Sequence, residues 1–286
     1  MPLVLFYRIT YLYFLMLSTY MSIAASAGRD TLSLLSKNPI LCAGAIVYVA
    51  IGITGAIVAV MPLIIAPIII TAYVNLVDDA IKRRVSVDSF ITGIRQYWAH
   101  VIAAYGILYL AGFSLLVSYE LTILQFIPLY PPDGVIVLLQ NAVATPDSIL
   151  TIISLVFMYL TFALVYLTYE FLAVAIAIND KNIVPTIKKA VSTVILTPLN
   201  TIVYVAVRTT IISIGFAPIL FQSYISTLIG TGLSQTVTLL TSSLAINIST
   251  IYRVCYYRRR EEVLEHQNAS NTSPPTPETS PAAVDS

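Results

Sequence analysis

The stretch "YEFLAVAIAINDKNIVPTIKKAVSTVILTPLNTIVYVAVR", residues 169 to 208, decides how this chain is read. An apolar run ends near Ile178, a short polar connector with Lys181, Lys188 and Lys189 follows, and a second apolar run begins near Ile195. Each run carries one charge in its interior, Glu170 in the first and Arg208 in the second. A guanidinium stays charged in a protein. Such a group inside a long apolar segment needs a partner, and two long apolar segments joined by a basic connector form a helical hairpin. At 1.5 Å per residue, Glu170 and Arg208 each lie roughly 14 Å from the connector. The matched depth predicts an intramembrane ion pair between them, structural or functional.

The rest of the chain has the same character. Of its 286 residues 58% are hydrophobic and 10% are charged, and the mean hydropathy is +0.86. Soluble domains carry about 25% charged residues. Apolar runs of about 20 residues are transmembrane-helix candidates. Six are legible: Ile40 to Val60, Met61 to Val77, Ala99 to Tyr119, Leu150 to Ile178, Ile195 to Ala217, and Thr231 to Val254. Backbone groups in lipid must be satisfied within the segment, so continuous apolar runs of this kind predict helices. The expected fold class is therefore all-α, a polytopic integral membrane helical bundle with six core transmembrane helices.

Basic residues orient it. Lys37 precedes the first run. Lys82, Arg83, Arg84 and Arg95 separate the second from the third, and Arg253, Arg258, Arg259 and Arg260 close the sixth. Residues 120 to 148 contain no Lys or Arg. Six crossings place every basic cluster on one face, which the positive-inside rule makes cytoplasmic. The expected location is the plasma membrane, with a cytoplasmic carboxyl terminus. The net charge of +1 gives no reason to expect nucleic acid; the lipid bilayer and a membrane protein partner are the expected company.

Three domains of unequal kind follow. Residues 1–21 form an extra hydrophobic segment, read either as a seventh helix or as an over-called start before Met16 or Met21. Ala25-Ser26-Ala27 resembles a signal-peptidase site, but cleavage there would invert the charge distribution. Residues 22–257 form the transmembrane domain. Residues 258–286 are polar and Pro-rich and are expected to be a disordered cytoplasmic tail.

Amphipathic connector helices are expected on the cytoplasmic side at 28–39, 85–100 and 182–193. In the second, Val87, Phe90, Ile91, Ile94 and Trp98 keep helical spacing. With "LLSKNPIL" at 34–41, "FITGIRQYWAHVI" at 90–102 and "EFLAVAIAINDKNIVPTIKKAV" at 170–191, residues 22 to 257 resemble archaeal multi-pass proteins related to the membrane domain of glycerophosphoryl diester phosphodiesterase. The resemblance implies an architecture and carries over no catalytic residue.

Chemistry is sparse. His100 and His266 have no ligand partner at helical spacing, and the two cysteines, Cys42 and Cys255, stand far apart. No phosphate loop and no paired intramembrane carboxylates occur, so neither an enzyme nor a cofactor nor a metal is expected. In the sixth run Ser234, Thr238, Thr241, Ser242 and Asn247 are polar residues for helix packing or for a path. Hydroxyl and small residues join helices in membranes, which favours packing. The expected role is scaffolding or modulation of a membrane partner or the lipid phase. The alternative is a transporter or permeation component, with a polar path lined by helices 4 to 6.

Overall fold

A computed structural model describes residues 21–57, 61–82, 85–126, 146–178, 182–195 and 198–272. All regular structure among them is helical. Helix α1 runs from Met21 to Lys37 and bends by 98° into a single 3-10 turn, Pro39–Ala43, and helix α2, Gly44–Ile57. Then come α3 (Met61–Ile81), α4 (Val87–Phe126), α5 (Pro146–Ile178), α6 (Ile183–Ile195), α7 (Pro198–Leu220), α8 (Gln222–Ile229) and α9 (Thr231–Thr272). The bend after α1 has a local cause. Pro39 disfavours helical backbone at the residue before it, and Asn38 takes φ −131° and ψ 75°.

Among the described residues four helices are long and apolar enough to cross a membrane: Ile64–Ile81, Asp88–Leu115, Tyr159–Ile178 and Pro198–Leu220. The bent pair Met21–Lys37 and Pro39–Ile51 makes a fifth if it counts as one span. Two of the six expected segments, the first and the sixth, are not among these four helices. Among the described residues the first is divided between a 3-10 turn and the helix Gly44–Ile57. The sixth lies in α9, whose serines, threonines and asparagine dilute its apolar character.

Connector helices are also redrawn. The stretch 182–193 is a separate helix, α6. The stretch 85–100 is not separate: α4 is one helix of 40 residues from Val87 to Phe126. It has no proline, and its only interior interruptions are Gly93, Gly106 and Gly112, which weaken a helix without ending it. The expected tail starts as helix too, since α9 continues through "RRREEVLEHQ" to Thr272. Glu, Arg and Leu favour helix, and Arg259 pairs with Glu262 one turn on at 3.0 Å. Residues 273–286 lie outside the described residues, as do residues 1–20, Arg83, Arg84, Lys181 and the segment 127–145 with Asp133.

Among the residues whose burial is described, packing is densest at one end. Buried residues run along Ala72–Ala80 of α3, Val101–Leu108 of α4, Phe171–Ala177 of α5 and Ile251–Tyr257 of α9. Towards the other end α4, α5 and α7 present large apolar side chains outward: Leu110 and Phe113 on α4, Phe157 and Leu160 on α5, Ile214 and Leu220 on α7. Helix α3 packs on α4, α5 on α3, α4 and α6, and α7 on α9, which also touches α2, α3, α5 and α8. Two close approaches fix α9. Gly215 of α7 lies against Ala245, where an added Cβ would overlap that alanine's Cβ, and Gly44 of α2 lies against Asn247 and Tyr73.

Candidate functional site

Helix α5 brings Tyr166 and Glu170 onto one face, four residues apart, as α7 does Tyr204 and Arg208 and α9 does Arg253 with Tyr256 and Tyr257 (i, i+3 and i+4 neighbours share a face). These faces meet in the packed half of the bundle. The structure places Arg208 Nη2 2.8 Å from Glu170 Oε1. It adds a partner that sequence reasoning missed: Arg253 Nη2 pairs with Glu170 Oε2, and Arg253 Nη1 donates to the main-chain oxygen of Glu170 at 3.1 Å. Arg208 Nη1 also donates to Tyr166 Oη at 2.8 Å.

Glu170 and Arg253 are almost fully buried, while the Arg208 side chain keeps 14% of its surface. Two guanidiniums and one carboxylate leave a formal charge of +1. A buried pair is stabilised only when geometry and further hydrogen bonds offset the loss of hydration. Here each carboxylate oxygen is paired with its own guanidinium, and the main-chain oxygen accepts a hydrogen bond from Arg253.

Aromatic rings close the inner side. Tyr204 stacks on Tyr252 with centroids 5.7 Å apart and planes at 5°, and contacts Tyr256 at 4.8 Å and Phe171 at 5.0 Å. Tyr105 meets Tyr169 edge-on at 4.8 Å, and its hydroxyl donates to the Tyr169 main-chain oxygen at 3.2 Å. On the other side lies Tyr166, half exposed, with its ring centroid 5.8 Å from Arg208 Cζ.

Helix α9 makes further ion pairs below the triad. Arg258 donates twice to Asp78 Oδ1 of α3, at 2.8 and 2.6 Å, and Lys82 sits 2.6 Å from the other oxygen of the same nearly buried carboxylate. Arg259 reaches Asp30 of α1 at 2.7 Å, and Lys189 of α6 pairs with Glu261. The basic cluster that closes the sixth run is therefore a tie: α9 is bound ionically to α1, α3, α5 and α6. Arg253 carried a readable signal. It stands apart from Arg258–Arg260, separated by the apolar "VCYY", so it lies higher on the helix than the others. Beside this tie, a groove of about 200 Å³ is lined by residues that include Asp30, Ser33, Arg258, Arg259, Glu262 and, at its floor, the buried Cys255.

The five polar residues of α9 are placed individually. Ser234 donates to Gln222 O at 3.4 Å, Thr241 to Val237 O at 2.9 Å and Ser242 to Leu239 O at 3.1 Å. Asn247 Nδ2 donates to Leu41 O at 2.9 Å, an oxygen that also accepts from Tyr73 Oη at 2.8 Å. Thr238 is half-buried, with no acceptor for its hydroxyl among the described residues. Among the described residues no group of three His, Cys, Asp or Glu side chains could hold a metal ion.

A family model described as "Domain of unknown function (DUF7847)" matches residues 21–259, and the chain belongs to that family. No curated protein and no solved structure matches it.

Proposed function

For this member of the DUF7847 family we propose a non-catalytic integral membrane protein that scaffolds or modulates a membrane partner or the surrounding lipid. In this reading six helical segments, α2, α3, α4, α5, α7 and the first half of α9, cross the bilayer. The bent α1 and α6 lie along the cytoplasmic surface. The observation that carries it is the distribution of exposed apolar side chains. Leu110, Phe113, Phe157, Leu160, Ile214 and Leu220 all point outward on the half of the bundle opposite the ion pairs. In water such a surface would associate; in lipid it is solvated. Trp98, half exposed, suits the headgroup level on α4.

Orientation follows from Lys82, Lys188, Lys189, Arg258 and Arg259 at the packed end, which the positive-inside rule assigns to the cytoplasm of a plasma membrane. A transport role is the second reading. The bonding of Thr241 and Ser242 to their own helix, and the close approach of Gly215 to Ala245, support packing over a path.

Cysteine-accessibility mapping in sealed cells tests this. A membrane-impermeant maleimide should modify a cysteine at position 133 and spare one at position 188. Labelling at 188, or release of the protein from membranes by carbonate, would overturn the reading. Co-purification from mild detergent would then identify the partner.

A further inference from the structure

The triad contains more donors and more positive charge than its acceptors satisfy. Arg208 has five N–H groups. One meets Glu170 and one meets Tyr166, and its Nε–H is buried without an acceptor among the described residues. Tyr166 Oη accepts from Arg208, which leaves its own proton free to be donated. Glu170 is the only carboxylate paired with either guanidinium among the described residues, so the formal excess is one positive charge. Buried charge without a counter-charge is strongly unfavourable. The arrangement lacks one anionic acceptor.

We infer that Arg208 and Tyr166 bind one anionic oxygen headgroup, a carboxylate or phosphate, at the flank of the bundle between α5 and α7. The Arg208 side chain keeps 14% of its surface and Tyr166 keeps 50%, whereas Arg253 and the tyrosine wall close the opposite side. Beyond Tyr166 on α5, Phe162 and Tyr159 follow at helical spacing, both exposed and apolar in body. An acyl chain laid along them would place its headgroup at Arg208. The ligand class is therefore an amphiphile with a monoanionic head, and a free anion of the same chemistry is the other source. A monoanion brings the cluster to neutrality. The inference rests on the membrane reading only for the source of the ligand; the anion site itself is testable in detergent.

Thermal unfolding of the full chain, purified in a neutral detergent, tests it with four probes: oleate, dioleoyl phosphatidate, inorganic phosphate and zwitterionic dioleoyl phosphatidylcholine. Oleate or phosphatidate should raise the Tm and phosphatidylcholine should not. Tyr166→Phe should weaken the apparent affinity about tenfold, the size expected for a hydrogen bond to a charged group. Arg259→Gln, which removes an exposed cation elsewhere, should leave the affinity unchanged. Stabilisation by phosphate with none from the amphiphiles supports the site and assigns its ligand to the aqueous phase. The proposal is overturned if no anionic probe raises the Tm, or if Tyr166→Phe and Arg208→Gln respond as the native chain does. If Arg208→Gln does not fold, Tyr166→Phe alone decides. Failure here with correct labelling at positions 133 and 188 would remove the anion site and leave the membrane reading standing.

Discussion

Arg253 grips Glu170 twice, through the carboxylate with Nη2 and through the main-chain oxygen with Nη1 at 3.1 Å. A main-chain oxygen inside an α-helix already accepts from its own ladder, so this second bond fixes α9 against the backbone of α5. Side-chain rotation alone cannot release it. Arg208 lacks such a backbone contact and is the more exposed of the two arginines.

The three charges should consequently respond unequally to neutralisation. Glu170→Gln leaves two guanidiniums facing an amide and should destabilise by about 3–5 kcal/mol, the range for breaking a buried pair. Arg208→Gln leaves the neutral Glu170–Arg253 pair and should cost less. The double change Glu170→Gln with Arg208→Gln should recover little, because Arg253 remains unpaired. Adding Arg253→Gln should recover more. Folded yield and Tm in detergent measure this order; recovery by the double change alone would show that Arg253 does not share the carboxylate.

A glycine test addresses the α7–α9 contact. Gly to Ala in a helix interior ordinarily stabilises by up to about 1 kcal/mol. At Gly215 the added methyl would overlap Ala245, so Gly215→Ala should instead destabilise by about 1–3 kcal/mol. Ala245→Gly should relieve part of that loss. A more stable Gly215→Ala variant, read as a higher Tm, would mean that the two helices are further apart.

Two carboxylates below the triad provide a contrast. The Asp78 side chain is 3% exposed and holds Arg258 and Lys82, whereas that of Asp30 is 36% exposed and holds Arg259. Asp78→Asn should cost about 3 kcal/mol or more and Asp30→Asn no more than about 1 kcal/mol, as expected for buried and exposed pairs. Equal losses of Tm would place Asp78 in contact with water.

The cysteines should separate by reactivity. Cys42 is exposed and Cys255 is buried, and burial pushes the Cys255 thiol up to about 12. The thiolate is the reactive form. Maleimide at pH 8 should add once per folded chain in detergent, at Cys42, and a second time only after denaturation. Fast double addition, seen by intact-mass measurement, would show that α9 is open around Cys255.

Much of this architecture was legible in the chain. Helicity, the long apolar segments α3, α4, α5 and α7, the polar character of α9 and the common depth of Glu170 and Arg208 are properties of composition, period and rise per residue. They depend on nothing beyond a segment's own length and order. Other features escaped because they depend on neighbours. The continuity of α4 through 87–100 and the extension of α9 to Thr272 exceed what local polarity indicates; a helix can change its surface chemistry along its length without breaking its ladder.

The participation of Arg253 is the clearest case. By sequence its separation from Arg258–Arg260 by "VCYY" sets its height on the helix but not the side it faces. Its role is set by the rotation of α9 about its own axis, and that rotation is set where Gly215 lets α7 approach its backbone and Gly44 of α2 takes the Asn247 side chain. Hydropathy reports how much of a helix avoids water, but not which face meets which neighbour. Chain chemistry alone determined that these helices are apolar and that Arg208 needs an anion; only the tertiary packing decided that one carboxylate is shared by two arginines, because packing, and not composition, sets the distance between side chains on separate helices.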